Sequence, residues 1–352
     1  MALNLRQLQT QVQAHLQLNA VLDEGDTLEL LAHGEANVIF RLNADRLVRV
    51  AVSTPNQRFG GDASQVTAFE RVILHYLKGS GIGHTLLDAV LHPSETFPYT
   101  CLITNYLDGE PLNYSHPHLK QCATTLARLH RLPLQADYAH IEQLTPPVQR
   151  VTQPLALFFA EARDYAQPYV RSPNADPAFV DMLHTLLAAA EARLPTERFL
   201  VEFPYTCLVH SDHTYENWVI NDHTAWLIDW EWAELGSPAG DLGHFLSPVT
   251  VQRCSGYQMP AADRQLFLHT YYDALEDAEL AQTMRLHFAA FGAFPAVRSL
   301  CWTAGYWVSA QRWYEQEDGA SAQARRRRLY DSQQQFPQLW AEVMALLKEP
   351  LP

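Results

Sequence analysis

The sequence predicts an α+β chain in two lobes, a small antiparallel sheet with one helix first and a larger, mainly helical part after it. Three observations carry that expectation. At 352 residues the chain is longer than one hydrophobic core usually grows. Its first third alternates with the period of strands around a single helical stretch. Beyond residue 107 the apolar spacing turns almost wholly helical, which divides the chain into lobes at 1–107 and 108–352.

The first segment opens on a helix, because Leu5, Leu8, Val12 and Leu16 recur at helical spacing. Residues 28–52 then alternate as three short strands, LELLA, NVIFRL and RLVRVAV. Turn signals at His33-Gly34-Glu35 and Asn43-Ala44-Asp45 separate them. A Pro/Gly/Asn-rich loop leads into a helix over 63–77, with Val66, Phe69, Val72, Ile73 and Tyr76 on one face. Two further strands, 86–91 and 99–106, complete one antiparallel sheet. The pattern breaks at Leu107-Asp108-Gly109-Glu110-Pro111. After it, helices are expected over 117–131, 155–169, 177–194, 263–275, 278–294 and 297–315, with one β-rich island over 207–230. Arg325–Arg328 reads as a solvated helix face.

Composition excludes several classes. Hydrophobic residues make up 47% and charged residues 18%, a folded rather than disordered balance. A formal net charge of −14 argues against nucleic-acid binding and favours a neutral or cationic small molecule, although acidity also serves solubility alone. Five cysteines with no CxxC spacing give neither a disulfide framework nor a zinc site. No apolar run approaches the ~20 residues of a membrane span, and the N-terminus lacks a signal-peptide pattern. The expectation is a cytoplasmic protein without membrane or nucleic-acid partners.

The chemistry concentrates in LVHSDHTYENWVINDHTAWLIDWEWAELGSPAGDLGHFL. It holds His210-x-Asp212 and Asn217, then an apolar strand pair, then Leu227-Ile228-Asp229, then Gly240-Asp241. Phosphoryl transfer asks a protein mostly for position and charge. It needs a carboxylate beside the acceptor hydroxyl and oxygen ligands for the metal on the triphosphate. Asp212 would orient and deprotonate the acceptor, while Asn217 and Asp229 would offer hard oxygens to Mg²⁺.

This pattern resembles the catalytic and metal-binding loops of the aminoglycoside phosphotransferase and choline kinase superfamily, distant relatives of the protein kinases. The resemblance runs from about Leu28 to Leu246 and implies a bilobal protein-kinase-like fold that uses ATP and Mg²⁺. By that likeness Asp212 is the catalytic base, His210 a structural member of the catalytic loop, and Asn217 and Asp229 the metal ligands. Asp241 matches a position that braces the loop by hydrogen bonds. The nucleotide would lie under the strand-turn-strand containing Gly34 and Asn37. Arg49 takes the place of the kinase lysine on the third strand, and Glu70 that of its ion-pair partner. Asn105 and Leu107 would meet the purine through their backbones.

Other readings remain open at this level. A catalytically idle nucleotide-binding protein of the same fold is the main alternative, although both loops keep their aspartates. His210, Asp212 and His213 could form a hydrolase metal cluster, but no further His or Cys has the right spacing. No activation-like segment follows Asp229, which disfavours a protein kinase. Trp230, Trp232, Trp302, Tyr306, Trp307 and Trp313 are either core or a cage for a cationic acceptor. Glu231 and Glu234 either hold that cation or face solvent. The acceptor is expected to be a small-molecule hydroxyl compound such as an aminoglycoside or an amino alcohol.

Overall fold

The computed structural model describes residues 4–19, 21–23, 25–34, 36–54, 56–133, 147–314 and 320–351, with side chains at all of these except 57, 311–314, 320–325 and 328. The chain divides into two compact units. One contains the residues up to Leu112 together with Asn217–Ala233, and the other contains Arg150–Glu216 and Glu234–Pro352 together with the helix that follows Leu112.

The first unit is built on a five-stranded sheet. Its strands are β1 (Leu28–His33), β2 (Asn37–Leu42), β3 (Arg46–Ala51), β4 (Leu86–Val90) and β5 (Thr100–Asn105), ordered β1-β2-β3-β5-β4. Every neighbouring pair is antiparallel. Period-two alternation sends Val38, Phe40 and Leu42 of β2 and Val48 and Val50 of β3 to one face. There they meet Leu8, Val12 and Leu16 of helix α1 (Leu5–Leu18) in one apolar cluster. Each such side chain stabilises the fold by about 1.5–3 kcal/mol. Asn4 caps α1 by accepting from the Gln7 N–H at 3.1 Å.

The opposite face of the sheet meets α2 (Ala63–Tyr76), capped by Asp62, which accepts from Ser64 N–H at 2.9 Å. Its buried stripe runs through Val66, Phe69, Glu70, Ile73 and Leu74, while Val72 and Tyr76 are only half-buried. A buried glutamate on that stripe is not a packing residue, and its partners are described below. The hairpin β7 (Trp218–Ile220) and β8 (Ala225–Leu227) belongs to this unit. Leu227 N–H donates to Ile82 C=O at 2.7 Å, and Glu110 and Ile220 exchange backbone hydrogen bonds at 2.8 Å.

The second unit is helical: α3 (His116–His130), α4 (Pro154–Val170), α5 (Pro177–Arg193), α6 (Arg198–Glu202), α7 (Ala239–Phe245), α8 (Pro248–Ser255), α9 (Ala261–Ala274), α10 (Ala278–Phe291), α11 (Phe294–Tyr314) and α12 (Ala320–Lys348). Phe158, Phe291, Phe294, Trp307 and Phe336 sit in its core. The short strands β6 (Cys207–Val209) and β9 (Glu234–Gly236) pair antiparallel. The six long helices read from periodicity are all present within a few residues of their expected bounds. Strand β9, at three residues, is too short for any periodic signal.

Glycine fixes the placement of α7. A Cβ on Gly243 would stand 2.4 Å from the carbonyl oxygen of Gly292, so the two backbones can approach only because Gly243 carries no side chain. The five cysteines are free thiols, four buried and Cys254 half-buried. Among the described residues no helix is long and apolar enough to cross a membrane. Arg326 and Arg327 are exposed, as a solvated helix face requires; the side chains of Arg325, Arg328 and Trp313 lie outside the described residues.

Candidate active site

In the sheet unit the candidate residues gather around one guanidinium. Val48 and Val50 face the α1 core, so Arg49 between them projects from the other face, toward α2. Its Nη1 donates to Glu70 Oε1 at 2.7 Å and its Nη2 to Asp229 Oδ1 at 2.5 Å. With the Asn37 amide turned so that its oxygen faces the guanidinium, that oxygen accepts from Arg49 Nε at 3.3 Å and from Nη2 at 2.9 Å. Four of the expected residues, from β2, β3, α2 and the segment after β8, therefore form one cluster.

Burial raises the Glu70 carboxyl above its ordinary value; Arg49 opposes this and the Asp229 carboxylate adds to it. The Trp230 N–H also donates to Glu70 at 2.9 Å, so this buried carboxylate has both an ionic and a backbone partner. Burial alone would lower the Arg49 value, but Glu70 and Asp229 together raise it and keep the guanidinium charged.

Asp229 stands apart from its neighbours in two ways. Its side chain is 37% exposed, against 3% for Glu70. Its φ is +67°, a left-handed conformation that non-glycine residues adopt rarely and mostly where surrounding structure enforces it. The Ile228 N–H just before it donates to Asn217 C=O at 3.0 Å, which ties the two expected oxygen donors together through the backbone. A carboxylate and an amide are the hard donors that Mg²⁺ takes, and Asp229 keeps Oδ2 beyond its bond to Arg49, so the pair suits that ion.

The strand-turn-strand and the hinge behave differently. Gly34 N–H donates to Asn37 C=O at 2.9 Å and closes the β1–β2 turn. Asn105 has both backbone groups engaged, its N–H with Thr85 C=O at 3.1 Å and its C=O with His84 Nδ1 at 3.0 Å. Its side-chain oxygen also accepts from Thr85 N–H at 2.6 Å. Among the described residues no hydrogen bond engages the backbone of Leu107. Of the two hinge positions, Leu107 is the one left with free backbone groups.

In the helical unit the expected residues lie in the loop after β6, and here the backbone itself is held. His210 N–H donates to Asp241 Oδ2 at 2.9 Å, and Ser211 N–H to Asp241 Oδ1 at 2.8 Å. Asp212 N–H donates to His210 Nδ1 at 3.3 Å, and His213 N–H to His244 Nδ1 at 2.9 Å. Four consecutive amides thus end on side-chain acceptors. Ser211 sits at φ +66°, a strain that the two-oxygen grip of Asp241 can hold. His210 is fully buried, whereas the Asp212 side chain is 31% exposed.

Asp241 is itself fully buried, with His130 Nε2 at 3.1 Å and His213 Nε2 at 3.0 Å completing its surroundings. Burial alone would raise its carboxyl; His213 and His130, with their hydrogen bonds, hold it well below the usual carboxylate range. His130 stays neutral, since burial lowers it, and its Nδ1 pairs with the Tyr271 hydroxyl at 2.8 Å. Sequence reasoning found Asp241 but missed His130 and His244. His244 had a signal, because it lies three residues after Asp241 on the same helical face. His130 had none, being 111 residues distant in the chain.

The aromatic residues divide. Trp230 and Trp307 are core, at 1% and 2% exposure, and Trp307 Nε1 donates to Ser332 Oγ. Trp302 and Tyr306 are exposed and stack at 5.0 Å, with the Arg253 guanidinium 4.7 Å from the Trp302 ring centre. The cation on that pair belongs to the protein. Glu231 and Glu234 are buried, so neither is a solvated charge.

Three solved structures similar to the chain are a choline/ethanolamine kinase family protein from Mesorhizobium loti, an ethanolamine kinase from Plasmodium vivax and an ADP-bound aminoglycoside phosphotransferase APH(2'')-Ib. The first is 15% identical with a TM-score of 0.59, covering 97% of this chain and 100% of its own. The second is 12% identical with a TM-score of 0.59, covering 97% and 89%. The third is 14% identical with a TM-score of 0.53, covering 95% and 96%. At such identities they show a shared fold, with its antiparallel sheet and helical part. No curated protein matches the sequence. The family model of the phosphotransferase enzyme family, APH, matches residues 27–287, and the chain belongs to that family.

Proposed function

We propose that this phosphotransferase moves the γ-phosphoryl group of ATP to a hydroxyl of a small molecule, with Asp212 as the base. One observation carries the reading. All four amides of residues 210–213 are spent on side-chain acceptors, while the carboxylate of Asp212 is left a third exposed. A rigid backbone presenting a carboxylate to solvent is what a positioned base needs.

Arg49 would steady the α- and β-phosphates, held in place by Glu70 and Asn37. Asn217 and Asp229 would hold Mg²⁺, whose charge neutralises the triphosphate when it is bound. Asp229, bonded to Arg49 through Oδ1 and partly exposed, would offer Oδ2 to that ion. The free backbone groups of Leu107 would take the purine edge. Asp212 would accept the acceptor's hydroxyl proton as the oxygen bonds to phosphorus, and ADP would leave. Fold relatives whose names specify choline, ethanolamine or aminoglycosides support an alcohol acceptor. The retained Asp212, Asn217 and Asp229 weigh against a catalytically idle nucleotide binder.

The test is ADP release with ATP and Mg²⁺ across aminoglycosides, choline, ethanolamine, thiamine, homoserine and methylthioribose, with Asp212→Asn as control. Loss of a correctly placed base should lower kcat by about 10²–10⁴ while ATP still binds. Near-normal turnover in that variant would sink the assignment.

A further inference from the structure

We propose that His244 is a positioning residue for Asp212, its ring held with the proton on Nε2 and facing Asp212 Oδ1, so that the carboxylate keeps one orientation toward the acceptor. The inference rests on the reading of Asp212 as base given above.

The tautomer follows from one hydrogen bond. The His213 backbone N–H lies 2.9 Å from His244 Nδ1, and a backbone amide can only donate. Nδ1 must therefore carry its lone pair, and the proton of a neutral ring sits on Nε2. That nitrogen is 4.0 Å from Asp212 Oδ1. The separation exceeds a hydrogen bond, but catalytic contacts in ligand-free structures are often long and tighten on binding.

The charged and titratable groups acting on the ring are His213, Arg298, Asp241, Arg253 and Asp212. Burial is the largest influence and pushes His244 well below its usual value; His213, Arg298 and Arg253 act in the same direction and Asp241 opposes them. The ring is thus a neutral donor at pH 7. That matters for a base, because an imidazolium beside Asp212 would lower its proton affinity, whereas a neutral N–H orients it at little cost in basicity. Helix α7 supplies the rigidity, since it carries both Asp241 and His244 and is fixed by the Gly243–Gly292 approach.

Two variants separate the donor from the brace. His244→Asn keeps an acceptor near the Nδ1 position for His213 but removes the Nε2–H. His244→Gln keeps an N–H near the Nε2 position but removes the acceptor. With the acceptor that gives the highest ADP release, His244→Asn should lower kcat about tenfold or more, the scale of one hydrogen bond to a charged group, with KM for ATP within about twofold. His244→Gln should retain more activity than His244→Asn. The reverse order would overturn the proposal and leave His244 as a loop brace only.

A second measurement needs neither an acceptor nor turnover. Long-range ¹H–¹⁵N spectra of ring-labelled protein should show His244 as the neutral Nε2–H tautomer at pH 7, with its Nε2 signal moving in Asp212→Asn. An Nδ1–H tautomer, an imidazolium, or a signal indifferent to Asp212→Asn would overturn the proposal. If Asp212→Asn abolishes turnover while His244 proves indifferent, only this inference falls. If Asp212→Asn turns over normally, the reading of Asp212 falls and takes this inference with it.

Discussion

The two clusters of candidate residues, one in each compact unit, are held by opposite means. In the sheet unit, charges hold charges: Arg49 is shared between Glu70 and Asp229, and Asp229 is 37% exposed. In the helical unit, charge holds backbone: Asp241, with no exposure at all, takes the amides of His210 and Ser211 and the rings of His130 and His213. The Arg49–Glu70 pair is buried, whereas the Arg49–Asp229 pair opens to solvent at Asp229, where an ion pair contributes little to stability and can give way to a ligand. A buried carboxylate that takes two loop amides and the His130 ring, with the His213 ring 3.0 Å away, cannot be exchanged without disrupting its surroundings. The contrast separates a cluster with a partly exposed carboxylate from one whose central carboxylate is wholly buried.

The sharpest way to break this comparison is to damage the buried cluster. Asp241→Ala leaves two loop amides without acceptors in a buried place and should cost about 3–5 kcal/mol, read as a fall in the urea midpoint. The pH dependence has a definite sign. The folded value of Asp241 is depressed, so its contribution is fully present above the unfolded aspartate value near pH 4 and is lost as pH falls toward the folded value. The Asp241→Ala variant should therefore lose stability less steeply below about pH 4 than the parent. An equal acid slope in both would contradict the role given to Asp241.

The partly exposed cluster should respond in binding instead. Glu70→Gln keeps an acceptor for the Trp230 N–H and removes the charge that orients Arg49. KM for ATP should rise about tenfold, the scale of one charged hydrogen bond, with the thermal midpoint shifted by only a few degrees. A collapse of the fold with unchanged nucleotide affinity would reverse the assignment of the two clusters. The smallest effect belongs to the aromatic surface pair. Trp302→Ala removes an exposed stack and should cost under about 1 kcal/mol, measured by the same urea titration.

Much of this was legible in the residues. The alternation of Val38, Phe40 and Leu42 and of Val48 and Val50 gave the sheet its buried face, and helical spacing gave α1 and the long helices. Asp212, Asn217 and Asp229 carry a spacing that chemistry can read, while His210, Asp241, Arg49 and Glu70 came only from the resemblance to a known family. What stayed hidden is long-range. The β7–β8 hairpin is tied to Ile82 and Glu110 through backbone hydrogen bonds that leave no mark on side-chain type. His130 reaches Asp241 from a helix more than a hundred residues earlier, and nothing local to either announces it. The exposed Trp302–Tyr306 pair and the buried Trp307 share one helix and one composition, so only packing could tell them apart.

If the loop held by Asp241 presents Asp212 as the base of a phosphotransferase, turnover must depend on that carboxylate. Acceptor-dependent ADP release, compared between the parent protein and Asp212→Asn at matched ATP and Mg²⁺, tests it most directly. The account predicts release that depends on an alcohol acceptor and falls by about 10²–10⁴ in the variant with ATP affinity retained. Equal release from both proteins would contradict it.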